Sequence, residues 1–157
     1  MDKRGRKIMI NYKVLKQLNI APNIWDNYQQ QVNHFEWAGA KFIAKKMAKQ
    51  MGNNERVVIA LDEDQVVGVG ALVDQDIANI PESPYFSTLY VLPDYRSQNI
   101  ASHIVKLVLN EARILGYQEI YVMTQLKDFY EKLGFQYQKM ITDFMDRQMK
   151  LYRQTLA

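Results

Sequence analysis

Residues 89–105 read LYVLPDYRSQNIASHIV. An apolar run meets Pro93, crosses a short polar segment rich in small residues, and resumes with a different apolar period. Proline lacks the N–H that a β-ladder needs, so it stops the strand. Beyond it, Ile100, Ala101, Ile104, Val105, Val108, Ala112 and Leu115 fall on one face of a helix, and Gly116 suits its end. A strand over 86–92 therefore feeds a helix over 99–115 through Arg96, Ser97, Gln98 and Asn99.

Working outward, IMINYKVLKQL at 8–18 reads as a first strand. Pro22 and Asn23 open a helical segment over 24–50, with Gly39 inside it as the place where one helix would give way to two. Two β-branched runs, 57–61 and 66–73, flank an acidic turn at Asp62, Glu63 and Asp64 and predict a hairpin. Gly68 and Gly70 within the second run signal a bulge or a close backbone approach. DQDIANIPESP at 74–84 is a loop. Further on, QEIYVMT is a short strand, LKDFYEKLGF a short helix ended by Gly134, and 136–141 and 148–156 two closing strands. A strand–helix–strand unit joins 86–92 to 119–124, which makes that pair parallel. The class is α/β or α+β on one mixed sheet, with residues 1–157 forming a single domain.

Composition narrows the function. Of 157 residues, 48% are apolar and 24% charged, the balance of an ordinary globular domain. No apolar run approaches the ~20 residues of a membrane helix, and the first residues lack the apolar core of a secretory signal. A cytoplasmic protein with no membrane partner is expected. The absence of cysteine removes disulfides, thiolate metal sites and a cysteine-bound acyl group. His34 and His103 stand alone, so no metal site is expected. The net charge of +3 equals that of residues 1–7, MDKRGRK, and the rest is balanced. That segment reads as a mobile, solvated tail, and no nucleic-acid partner is expected.

The polar segment at 96–102 has a chemical reading. A helix N-terminus offers backbone N–H groups without partners and a partial positive charge of about half a unit, so a tight turn feeding it binds phosphates. Ser97, Gln98, Asn99, Ile100, Ala101 and Ser102 would supply amides, Arg96 a cation, and the small side chains of Ser97, Ala101 and Ser102 room. Neither G-x-x-x-x-G-K-[ST] nor a G-x-G-x-x-G at a strand–helix junction occurs.

VLPDYRSQNIA, Val91 to Ala101, resembles the acetyl-CoA-binding motif of the GNAT superfamily of N-acetyltransferases, Q/R-x-x-G-x-G/A after a strand ending V-x-P-x-x-R. It departs at Asn99, where the family has glycine, and asparagine follows glycine most readily into positive φ. DFYEKLGF, Asp128 to Phe135, is similar to the family's Y-x-x-x-G-F signature. The likeness runs in order over residues 57–137.

The resemblance implies a mixed, mostly antiparallel sheet of six to seven strands with helices on both faces and one parallel pair at the cofactor site. It also implies acetyl-CoA as cosubstrate and direct transfer to a primary amine in a ternary complex. Backbone groups of Leu89, Tyr90 and Val91 would hold the pantetheine arm, and residues 96–102 the diphosphate. Tyr130 would act as general acid, giving a proton to the departing thiolate. A non-catalytic CoA-binding module of the same fold is the alternative.

The resemblance implies a small-molecule or protein amine as acceptor, and a monomer or homodimer is expected. Glu36 and Glu82 are candidates for general base or substrate contact. Tyr85 and Phe86 join them as substrate candidates, because acids beside aromatics suit a cationic amine. The same loop carries Asp74 and Asp76.

Overall fold

The computed structural model describes residues 5–156. In chain order these form β1 (Ile10–Leu15), α1 (Pro22–Asn33), α2 (Ala38–Lys49), β2 (Arg56–Asp62), β3 (Gln65–Val73), β4 (Tyr85–Val91), α3 (Ile100–Ile114), β5 (Glu119–Thr124), β6 (Gln136–Thr142) and β7 (Gln148–Thr155). The strands make one sheet in the order β1-β2-β3-β4-β5-β7-β6. Only β4 and β5 run parallel; the other neighbours are antiparallel. This is the mixed sheet with one parallel pair that the sequence predicts.

Both faces are covered, which explains the near-continuous apolar runs in β2 and β3. Val57, Ile59 and Leu61 join the core beneath α1 and α2. Val58 and Ala60 alternate to the opposite face and pack in the core with α3. The two glycines of β3 serve close approach. A Cβ on Gly70 would lie 2.5 Å from Cγ2 of Ile104, and one on Gly68 would lie 3.0 Å from Cδ1 of the same residue. Their bare backbone lets α3 settle onto the sheet.

Three local expectations change. The strand read over 8–18 is shorter, Ile10–Leu15, and is followed by a 3-10 turn at Gln17–Asn19. The helical segment does break in two, but at residues 34–37 rather than at Gly39. There the chain leaves the helical path to bury Phe35. Gly39 instead lies beneath the Trp37 ring, which a Cβ would meet at 2.6 Å.

The helix expected over LKDFYEKLGF is a single 3-10 turn, Glu131–Leu133. Asp128 at φ 64° and Gly134 at φ 94° bracket it and leave space for one turn only.

Residues 1–4 of the basic tail lie outside the described residues. Arg6, within them, donates to the buried Asp62 carboxylate at 2.7 Å. Among the described residues no helix is long and apolar enough to cross a membrane.

Gly70→Ala should destabilise the protein by about 1–3 kcal/mol through overpacking against Ile104. Urea unfolding checks this, and the penalty should shrink when both proteins compared carry Ile104→Ala.

Candidate active site

The parallel pair is barely a pair. β4 and β5 are in register only at Tyr85 and Tyr121, with Tyr121 N–H donating to the Pro84 carbonyl at 2.9 Å. Past that point the strands diverge. A bulge in β4 accompanies the divergence: its register against β3 slips between Val69 and Ala71, and Thr88 sits at φ 60°. The Thr88 hydroxyl holds the bulge by donating to the Gly39 carbonyl at 2.9 Å. Beyond Ser87 the β4 edge that faces β5 has no strand beside it, and Thr88, Leu89, Tyr90 and Val91 line a cleft of about 830 Å³.

One end of this cleft meets the start of α3. Asn99 is the helix N-cap at φ 61°, ψ 16°, and Ser97 is also left-handed at φ 65°. Asparagine thus occupies the conformation in which glycine would be unstrained. The first helical bond runs from His103 N–H to the Asn99 carbonyl at 3.1 Å. The N–H groups of Ile100, Ala101 and Ser102 therefore precede the helical ladder and point out of its end.

Arg96 is fixed beside them. Its Nε donates to the Val91 carbonyl at 2.9 Å, and its guanidinium lies 5.5 Å from the centre of the Tyr90 ring. Just before it, the Tyr95 hydroxyl donates to Asp62, the carboxylate that also takes Arg6. This brace ties the turn to the end of β2.

Two titratable groups line the cleft deeper in, Asp76 and Tyr130. Asp76 is 8% exposed and accepts a hydrogen bond from the Ser87 hydroxyl at 3.0 Å. Burial raises its pKa to about 6, against the lowering effects of Ser87 and the Lys46 charge. Tyr130 is 5% exposed. Its ring meets Phe86, Phe129 and Phe135 edge-on at 6.3, 4.9 and 5.6 Å. Burial pushes its hydroxyl pKa up, and the Asp76 charge pushes it further the same way. A carboxylate that ionises just below neutrality and a phenol that stays protonated thus share one cleft, a division suited to proton acceptance and proton donation.

The sequence candidates are distributed unevenly around it. Leu89, Tyr90, Val91, Arg96, Ala101, Phe86, Tyr130 and Glu36 line the cleft, while Ser97, Gln98, Asn99, Ile100 and Ser102 form the turn at its end. Glu82 and Tyr85 do not line it. Glu82 pairs with Lys139 at 2.9 Å, which holds its carboxyl below the usual range. Tyr85 is fully buried in the core beneath α1 and α2.

The acid brought to the cleft instead is Asp76. In sequence it is one of three acids in a loop, and nothing local distinguishes it. Among the described residues no group of three or more histidine, cysteine or acidic side chains could hold a metal ion.

Residues 53–137 match the family model described as the acetyltransferase (GNAT) domain. N-alpha-acetyltransferase 30 of Schizosaccharomyces pombe is 31% identical over 83 residues; the match spans 49% of this chain and 55% of that protein. The chain thus spans about half the length of this curated relative. The structure superposes on the aminoglycoside 6'-N-acetyltransferase of Enterococcus faecium with a TM-score of 0.70 and 17% identity, covering 94% of this chain and 97% of that one. A GNAT family acetyltransferase of Elizabethkingia anophelis with acetyl-CoA bound gives a TM-score of 0.63 and 13% identity, covering 93% and 97%. At these identities the likeness is one of fold.

The Asp76 carboxyl has an ordinary value of 3.8 and a folded value of about 6, so its ionisation opposes folding. Its contribution to stability is lost as pH rises from about 4 to about 6, by an amount on the order of 3 kcal/mol. Asp76→Asn should remove that loss. Denaturant unfolding of both proteins at pH 4 and pH 7 should show the variant gaining on the wild type at the higher pH.

Proposed function

This chain belongs to the GNAT acetyltransferase family, and we propose that it is an acetyl-CoA-dependent N-acetyltransferase acting on a primary amine within a ternary complex. The observation that carries the reading is a single cleft that joins a vacant strand edge, an α3 start shaped for an anion, a buried carboxylate and a buried phenol.

The residues present fit the cosubstrate. The exposed peptide edge of Leu89, Tyr90 and Val91 suits the amide-bearing pantetheine arm, which would extend the sheet as an added strand. The turn from Arg96 to Ser102 suits the diphosphate, because its amides lead into the α3 N-terminus and its side chains at Ser97, Ala101 and Ser102 are small. Acetyl-CoA supplies an acetyl group already activated as a thioester.

The chain's own groups would manage the protons. Asp76, largely ionised at pH 7, takes a proton from the incoming ammonium and leaves the nitrogen lone pair free to attack. As the new C–N bond forms and the C–S bond breaks, the sulfur leaves with the electron pair, and the acylated nitrogen sheds a second proton, which balances the one that Tyr130 gives up. Tyr130, kept protonated by its burial, donates at that sulfur. Ser87 holds Asp76 through its hydroxyl and so sets the direction of the carboxylate.

Thermal unfolding with excess acetyl-CoA should show stabilisation of roughly 2.7 kcal/mol at a hundredfold over the dissociation constant. Asn99→Pro cannot adopt the left-handed φ and should lose that shift while still folding. No shift in the wild type at millimolar ligand would sink the reading.

Tyr130→Phe should slow turnover by about a hundredfold and Asp76→Asn by at least as much, with both retaining the acetyl-CoA shift. The acidic limb of kcat/KM near pH 6 should vanish in Asp76→Asn. Binding without turnover of any amine would favour a CoA-binding module.

A further inference from the structure

Besides β4 and the α3 turn, the cleft is walled by Trp37, Phe42, Ile77, Met145 and Met149. Trp37 and Met145 are 41% and 58% exposed. Large apolar side chains gathered around one opening mark a binding surface rather than ordinary scatter.

These walls are held in place. Trp37 lies flat over the bare Gly39 and stacks on Tyr90 at 5.7 Å. The tip of the β6–β7 hairpin, which carries Met145, is fastened to the Asp76 loop by Phe144 N–H donating to the Ile77 carbonyl at 2.8 Å.

Charge in the cleft is sparse. Among the described residues its ionic side chains are Glu36, Asp76, Arg96 and Arg147. Arg96 stands at the α3 turn, so the acids left for an acceptor are Asp76 and the exposed Glu36. Arg147 is also engaged, donating through Nε to Asp143 at 2.7 Å. An acceptor with more ammonium groups than these two acids would press the excess against apolar walls, which costs desolvation without compensation. A single ammonium beside Asp76, with an apolar body against Trp37, Ile77 and Met145, matches the walls.

Resting on the acetyl-transfer reading of this same cleft, we propose that the acceptor is a primary amine borne on an aromatic or aliphatic group rather than a polyamine or amino sugar. Two sources share that chemistry: a free arylalkylamine, and the α-amine of a peptide whose first side chain is apolar.

Intrinsic fluorescence reports on the site directly. Trp25 is buried, with its Nε1 donating to the Met47 carbonyl at 2.9 Å. Trp37 is the tryptophan that lines the cleft. The protein is titrated, with excess CoA present, with 2-phenylethylamine, a tripeptide amide beginning with phenylalanine, spermidine and kanamycin.

The apolar amines should give a saturable change in emission, absent in Trp37→Phe, with dissociation constants at least about tenfold below those of both polycations. Met145→Asp should weaken the apolar amines by about tenfold. Tighter binding of the tripeptide would identify a peptide N-terminus as the source, and tighter binding of phenylethylamine a free amine. Spermidine or kanamycin binding as tightly as the apolar amines would overturn the proposal, as would calorimetry showing no binding of either apolar amine. Acetyl transfer is assayed separately on the same panel. Transfer only to polycations leaves the acetyltransferase reading standing and removes this one. Binding of apolar amines without transfer to any amine of the panel removes the acetyl-transfer reading, and with it the role of these amines as acceptors.

Discussion

The site rests on a failure of strand pairing. β4 and β5 meet at one register position, Tyr85 with Tyr121, and then separate. A sheet interior ordinarily satisfies every peptide group, and an unpaired edge inside a protein is costly unless something else pairs with it. The divergence is built in, because the bulge at Thr88 turns β4 and is itself hydrogen-bonded to α2. α3, drawn down onto β3 by Gly68 and Gly70, starts at the end of the resulting cleft. One local irregularity thus aligns a vacant strand edge with a helix N-terminus.

Burial then divides the chemistry. Asp76 and Tyr130 both lie in low dielectric, and desolvation disfavours the charged form of each. For the carboxyl this moves ionisation to about 6, still below neutrality. For the phenol it moves ionisation further from neutrality. The same physical cause therefore leaves the carboxyl largely ionised and the phenol protonated at pH 7.

Tyr90 connects the two ends of the cleft. Its ring contacts Phe35 at 5.0 Å and Trp37 at 5.7 Å on the acceptor side, and the Arg96 guanidinium at 5.5 Å. The wall that would meet an amine and the cation at the α3 turn are thus packed against a single side chain. Arg96 is further pinned to the Val91 carbonyl, so the α3 turn is coupled to the strand that precedes it.

Local chemistry made much of this legible in advance. Pro93 ends a strand, the spacing from Ile100 to Leu115 makes a helix, and Asn99 can take the left-handed φ that the turn needs, so the residues themselves determined the strand–turn–helix unit. The β-branched runs of β2 and β3 and the bare backbone at Gly70 were equally readable, because they depend on neighbours a few residues away in sequence or on the absence of a side chain. The 3-10 turn before Gly134 was not, since the positive φ at Asp128 leaves no compositional trace. Nor was the choice among Asp74, Asp76 and Glu82. Lys139 captures Glu82 and Ser87 captures Asp76, contacts made only when β4, β6 and the 74–84 loop come together. The sequence determined the strand–turn–helix unit and the left-handed asparagine at its turn. Tertiary structure alone decided which acid of the 74–84 loop lies in the cleft, because a carboxylate's partners and solvent are set by packing between distant segments.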